Sequence, residues 1–125
     1  MQIVDNYEAK IWLGLREGYT DTIETERTVK SFIEGWCTGK KQCVSITPTD
    51  FIYVLGQEPG LIIGFINYPR YPLSKPEIKN RAIELGNLLM KRFKQFRVSI
   101  TFYPTVPGGT MMLENEDLEP LPNEL

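Results

Sequence analysis

The stretch LIIGFINYPRYPLSKPE, residues 61–77, joins an apolar run, a proline-threaded connection and the opening of a helix. The run 61–66 is apolar at nearly every position, so it reads as a strand with little polar surface on either face. Ser74 and Glu77 make an S-x-x-E capping box, and Pro76 falls in the first helical turn, where its missing N–H costs nothing. Downstream, Ile78, Ala82, Leu85 and Leu89 recur at helical spacing, flanked by Leu88 and Phe93. A strand followed by a capped helix is thus fixed near the middle of the chain.

The segments on either side supply the other elements. Residues 7–15 alternate, with Tyr7, Ala9, Ile11, Leu13 and Leu15 on one side and Trp12 on the other, which predicts a half-buried strand. Val29, Phe32, Ile33 and Trp36 form the stripe of a first helix, capped by Asp21 or Thr22 and ended by Gly39. QCVSIT and FIYVL read as strand interrupted at TPTD, because proline cannot donate to a ladder, and GQEPG turns this strand back into 61–67. RVSITFY is a further strand, PTVPGG a turn, and TMML an additional edge strand.

The order β-α-β-β-α-β predicts an α+β, ferredoxin-like sandwich, with a four-stranded antiparallel sheet, both helices on one face and an extra C-terminal edge strand. Residues 1–113 form the domain; 114–125, which hold five acids and no base, are expected to be extended or disordered. The open face of such a sheet exposes apolar residues, and that predicts a homo-oligomer.

Composition narrows the functional classes. The 125 residues contain no histidine, which excludes histidine-based triads and His-ligated zinc. Cys37 and Cys43 match neither a redox pair nor a metal set and read as reduced thiols. No run is long enough to span a bilayer and the start lacks a leader pattern, so a cytoplasmic protein away from membranes is expected. The net charge of −2 hides a division, since the acidic tail leaves the body positive by about +3. Much of that excess lies in MKRFKQFR, with Lys91, Arg92, Lys94 and Arg97.

Two short stretches resemble a known family. GFINY, residues 64–68, resembles the second half of the RNP1 signature, and IWLG, residues 11–14, the start of RNP2, of RNA-recognition motifs. That resemblance implies stacking of single-stranded nucleic acid on an open sheet face by Trp12 and Phe65. LII stands where RNP1 has a basic residue, a glycine and an aromatic. In size and lack of catalytic motifs the chain also resembles small phage proteins that sequester nucleotide signals of bacterial defence.

Two connections carry ligand-type residues. GLREGYTDT offers Arg16 and Tyr19, a cation beside an aromatic face, with Gly14 and Gly18 giving backbone freedom near a helix start, where anions are favoured. NYPRYP offers Asn67, Tyr68, Arg70 and Tyr71, stiffened by Pro69 and Pro72, a set suited to stacking on a base and forking onto a phosphate. The fold places these connections at opposite ends of the sheet, so one ligand meets both only across two subunits. The first equally reads as a loop whose Arg16 pairs with Glu17 or Glu24, and the second as tyrosines packing over a helix end. Glu17, Asp50 and Glu58 are carboxylates in loops that no sequence pattern pairs. The leading expectation is a non-catalytic oligomer binding a small anionic ligand, a nucleotide, through Arg16, Tyr19, Asn67, Tyr68, Arg70, Tyr71 and Arg97. No catalytic residue, metal or cofactor is assigned. An RNA-recognition-like nucleic-acid binder and a small dimeric ferredoxin-like enzyme are the alternatives.

Overall fold

A computed structural model describes residues 1–104 and 109–118. Five strands, β1 (Glu8–Gly14), β2 (Ser45–Tyr53), β3 (Gly56–Ile66), β4 (Arg97–Tyr103) and β5 (Thr110–Glu114), form one antiparallel sheet in the order β2-β3-β1-β4-β5. Two helices, α1 (Glu26–Lys40) and α2 (Lys75–Arg92), complete the chain. The first four strands keep the ferredoxin-like order, and β5 extends the sheet beyond β4. β5 lies where an extra C-terminal edge strand was expected, so the sheet has five strands.

Strand register explains the core. Ile11 stands opposite Ile63 on one side and Ile100 on the other, so one apolar row crosses β3, β1 and β4. Ala9, Leu13, Leu61, Phe65 and Val98 share that face and are buried. Val29 and Ile33 from α1, and Ile78, Ala82, Leu85 and Leu89 from α2, close over them. Both helices lie on the same face: Phe32 meets Phe93 edge-on at 5.7 Å, and the Trp36 indole N–H donates to Glu84 at 2.9 Å. Helix α2 approaches the sheet so closely that a Cβ at Gly86 would lie 3.0 Å from Ile100.

Several expectations are corrected. Phe65 does not face the open side; at odd parity with Leu61 and Ile63 it is 1% exposed and packs edge-on against Trp36. Trp12 does face the open side, half-buried, with its N–H on Thr101 at 3.1 Å. Helix α1 is capped by Thr25, not by Asp21 or Thr22, because residues 15–24 are held in a hairpin of their own. It ends at Lys41, which takes the left-handed position with φ 56°, not at Gly39. Strand β2 runs unbroken through Pro48, since it is an edge strand with a single partner. The turn is Val54–Leu55, between paired Tyr53 and Gly56, and GQEPG belongs to β3.

Glu114 ends β5, and the amide of buried Asn115 donates to Met90 O at 3.3 Å. The rest of the acidic tail, 119–125, and the centre of PTVPGG, 105–108, lie outside the described residues.

Candidate functional site

At one end of the sheet, β1 leaves the core through Gly14 and enters a tight loop. Leu15 N–H bonds Pro59 O at 2.9 Å, Arg16 and Ile23 pair as an isolated bridge, and Glu24 N–H returns to Leu15 O at 2.8 Å. Arg16 is thereby set beside the β2–β3 hairpin. Its backbone N–H donates to the Glu58 carboxylate at 2.8 Å, and its guanidinium donates to Gln57 O at 3.0 Å and Thr20 O at 3.2 Å.

The Glu58 carboxylate lies over Gly14, where a Cβ would come within 2.7 Å of Oε2 and 3.1 Å of Gln95 Oε1. Gln95 is 5% exposed and donates to Arg16 O at 2.6 Å. The Arg16 peptide is thus gripped at its N–H by Glu58 and at its carbonyl by Gln95. Arg16, Ile23, Asp50, Gln57, Glu58 and Pro59 line a cleft of about 430 Å³. The Arg16 guanidinium is engaged with the Gln57 and Thr20 carbonyls and lies 3.9 Å from Asp21; Asp50 pairs with Pro59 and Glu58 with Phe51, so the two carboxylates leave opposite faces of the hairpin. Ile23 and Pro59 give the cleft an apolar wall.

Next to it, Glu17, Tyr19, Thr20, Lys94, Phe96 and Leu118 help line a second hollow of about 320 Å³. Tyr19 lies tilted on Phe96 with centroids 4.5 Å apart, and Lys94 pairs with Glu17 at 3.1 Å. Gly18, at φ 55°, lets the loop pass the Phe96 ring. Arg97 begins β4 at this same end, opposite Glu114.

The other predicted residues stand at the far end, because β3 runs antiparallel to β1 and Glu8 pairs with Ile66. Asn67 is buried and spent on its own loop: its N–H₂ donates to Asp5 O at 2.9 Å and its carbonyl accepts from Leu73 N–H at 2.9 Å. Tyr68 bonds Cys43, which together with burial pushes the phenol pKa up. Arg70 covers the Tyr71 ring at 5.5 Å. One chain therefore groups Arg16, Tyr19 and Arg97 at one end and Asn67, Tyr68, Arg70 and Tyr71 at the other.

Sequence reasoning singled out Glu58 and Asp50 but did not bring them to one cleft with Arg16. Both sit in strands rather than loops, and no local spacing relates them to Arg16. The available signal was Gly14, a glycine ending an otherwise apolar strand, which makes room for the carboxylate.

The fold is that of a ferredoxin-like α+β domain, with a cleft lined by Arg16, Asp50 and Glu58 at one end of its sheet. No protein-family model matches the chain, and no curated protein matches it significantly. Two solved structures do match: a phage SAM lyase in its apo state, 20% identical with TM-score 0.75 over 90% of this chain and 92% of that one, and a phage SAM lyase in complex with S-methyl-5'-thioadenosine, 19% identical with TM-score 0.75 over 91% and 93%.

These neighbours are phage proteins, in keeping with the resemblance in type to phage proteins. They are also named as enzymes, and one is bound to a small ligand. That finding overturns the expectation of a non-catalytic, ligand-sequestering protein. The RNA-recognition likeness gains no support, since one of its two stacking residues, Phe65, is in the core. Among the described residues no helix is long and apolar enough to cross a membrane.

Proposed function

We propose that the chain is a lyase that cleaves S-adenosylmethionine, releasing S-methyl-5'-thioadenosine, in the cleft between β1 and the β2–β3 hairpin. The fold likeness to phage SAM lyases over about nine-tenths of both chains supports the reaction class. The observation that carries the site is the Glu58 carboxylate, held by Arg16 N–H at the rim of a cleft shared with Asp50.

A lyase adds no water, so the substrate itself must satisfy the carbon that sulfur leaves. The bond from the sulfonium sulfur to the Cγ of the amino-acid arm breaks, and its electron pair stays on sulfur as the neutral thioether. A carboxylate oxygen of the same arm supplies the pair that bonds Cγ, closing a five-membered lactone. Atoms and charge balance with no proton to move, which suits a chain without histidine. Folding the arm for ring closure is a matter of orientation.

Glu58 supplies that orientation by holding the ammonium group, which keeps its charge throughout. The sulfonium loses its charge in the transition state, so the apolar wall of Ile23 and Pro59 favours the reaction there. Phe51, opposite Glu58 in register, offers an adjoining aromatic face for the adenosyl part. Arg16 acts through its peptide and braces the loop.

A homo-oligomer belongs to the same reading. Ile52, Tyr53, Val54 and Leu55 at the hairpin tip are all exposed, and Leu55 sits at φ 60°, where a leucine is rarely found. A contiguous apolar tip of this kind suits a subunit contact. The free thiols Cys37 and Cys43 suit a reducing cytoplasm.

Purified protein incubated with S-adenosylmethionine should yield S-methyl-5'-thioadenosine by chromatography and a co-product with the mass of the amino lactone. Folded protein that releases neither overturns the reading; an unsaturated amino acid in place of the lactone overturns the ring-closure step.

A further inference from the structure

The lyase chemistry leaves the opposite end of the molecule unused, and that end holds a built cavity. Lys40, Lys41, Gln42 and Cys43 close α1, Tyr68, Tyr71, Pro72 and Leu73 come from the connection into α2, and Arg81 reaches in from α2. Together they line about 290 Å³, near the lower end of small-molecule sites.

The charge there is unbalanced. Glu84 is the carboxylate that answers these cations, and Lys40 takes it at 2.9 Å. Arg81 donates to Gln42 Oε1 at 2.8 Å, a neutral acceptor, and shares Glu84 with Lys40, so one carboxylate answers the three cations Lys40, Lys41 and Arg81. Lys41 makes no ion pair among the described residues. Its left-handed backbone ends the helix and turns the chain along the cavity.

The aromatic wall is prepared in advance. Tyr71 N–H bonds Tyr68 O at 3.0 Å, Asn67 pins the loop at both ends, and Pro69 and Pro72 restrict their neighbours. Tyr71 is 62% exposed, yet Arg70 stacks over its ring. A planar ring laid on such a surface orders little that is not already ordered.

We propose that this cavity is a second site, distinct from the lyase cleft, for a small phosphomonoester carrying a planar ring, namely a nucleoside monophosphate. The phosphate sits on Lys41 and Arg81, and the ring lies against Tyr71. Charge-assisted bonds from two cations give the anion preference, and the tyrosine face selects a ring.

Cys43 provides the test, because its exposed thiol lines the cavity while Cys37 is half-buried, with its pKa raised chiefly by burial. Alkylation of the intact protein is followed by mass mapping at low ionic strength. Adenosine monophosphate should slow modification of Cys43 and leave Cys37 unaffected, adenosine should protect poorly, and about 0.3 M salt should weaken the protection. Lys41→Asn, which suits the left-handed position, should lose about ten- to a hundredfold in affinity for the monophosphate and cleave S-adenosylmethionine at the wild-type rate. Tyr71→Ala should weaken protection by the monophosphate more than protection by inorganic phosphate. No protection at millimolar monophosphate, equal protection by adenosine, or undiminished protection in Lys41→Asn overturns the assignment. Stronger protection by a 5'-phosphorylated oligonucleotide than by the mononucleotide overturns it in favour of RNA. Loss of lyase activity in the wild-type protein bears on the other site and not on this one.

Discussion

The backbone N–H of Arg16 donates to the Glu58 carboxylate at 2.8 Å, fastening the end of β1 to the β2–β3 hairpin. That bond fixes a negative charge at the rim of the cleft without using the arginine side chain. It also accounts for Gly14, since any Cβ there would strike the carboxylate.

Glu58→Gln keeps an acceptor for Arg16 N–H and removes the charge. The melting temperature should hardly change. Because the ammonium is charged in ground state and transition state alike, the loss should appear mainly in KM, by about ten- to a hundredfold. Initial rates of thioether release over a range of S-adenosylmethionine concentrations measure it. A collapse in kcat with KM unchanged would place Glu58 at the reacting atoms instead.

Asn67 and Arg70 are neighbours with opposite expectations. Asn67→Ala removes the buried amide that serves Leu73 N–H and Asp5 O, both in part-buried bonds, and should cost about 1–3 kcal/mol. Arg70→Ala, on an exposed side chain, should stay within about 0.5 kcal/mol of the wild type. Urea titration compares the two, and equal losses would mean that Asn67 does not organise the loop.

Glu84 gives the stability a pH dependence with a definite sign. The Lys40 ammonium bonded to it holds its carboxyl below the ordinary 4.5, with help from Trp36 and Arg81 and against the effect of burial. A depressed folded-state value means stability that is present above about 4.5 and lost as pH falls through the lower folded value. The side chain is 42% exposed, so solvent screening keeps the effect small. Wild type should melt above Glu84→Gln at neutral pH, with the gap closing as the pH drops below that range. A gap that is constant with pH would show that the ion pair contributes nothing.

The sequence made the fold legible wherever local chemistry decides it. The Ser74 cap with Pro76 behind it, the stripe from Ile78 to Leu89, and the alternation from Ala9 to Leu15 all act within a few residues. The face of Phe65 was not legible, because 61–66 is apolar at both parities and only pairing with β1 chooses a side. Pro48 misled for a related reason: whether a proline breaks a strand depends on whether that strand is an edge. The cleft was hidden most deeply, since Arg16, Asp50 and Glu58 become neighbours only through sheet register. The loop 67–73 was easier, its tyrosines and arginine being adjacent in the chain, although Asn67 proved to be its clamp.

The grip on the Arg16 peptide has a consequence for synthesis. Glu58 lies 42 positions from Arg16 and Gln95 lies 79, so the cleft draws on both halves of the chain. A nascent chain that has left the ribosome only as far as α2 has neither Gln95 nor the β4 pairing that holds β1 from its other side. The grip on the Arg16 peptide is thereby withheld until β4 has been made, and a truncated product ending before Gln95 carries Glu58 without the second hold on the loop.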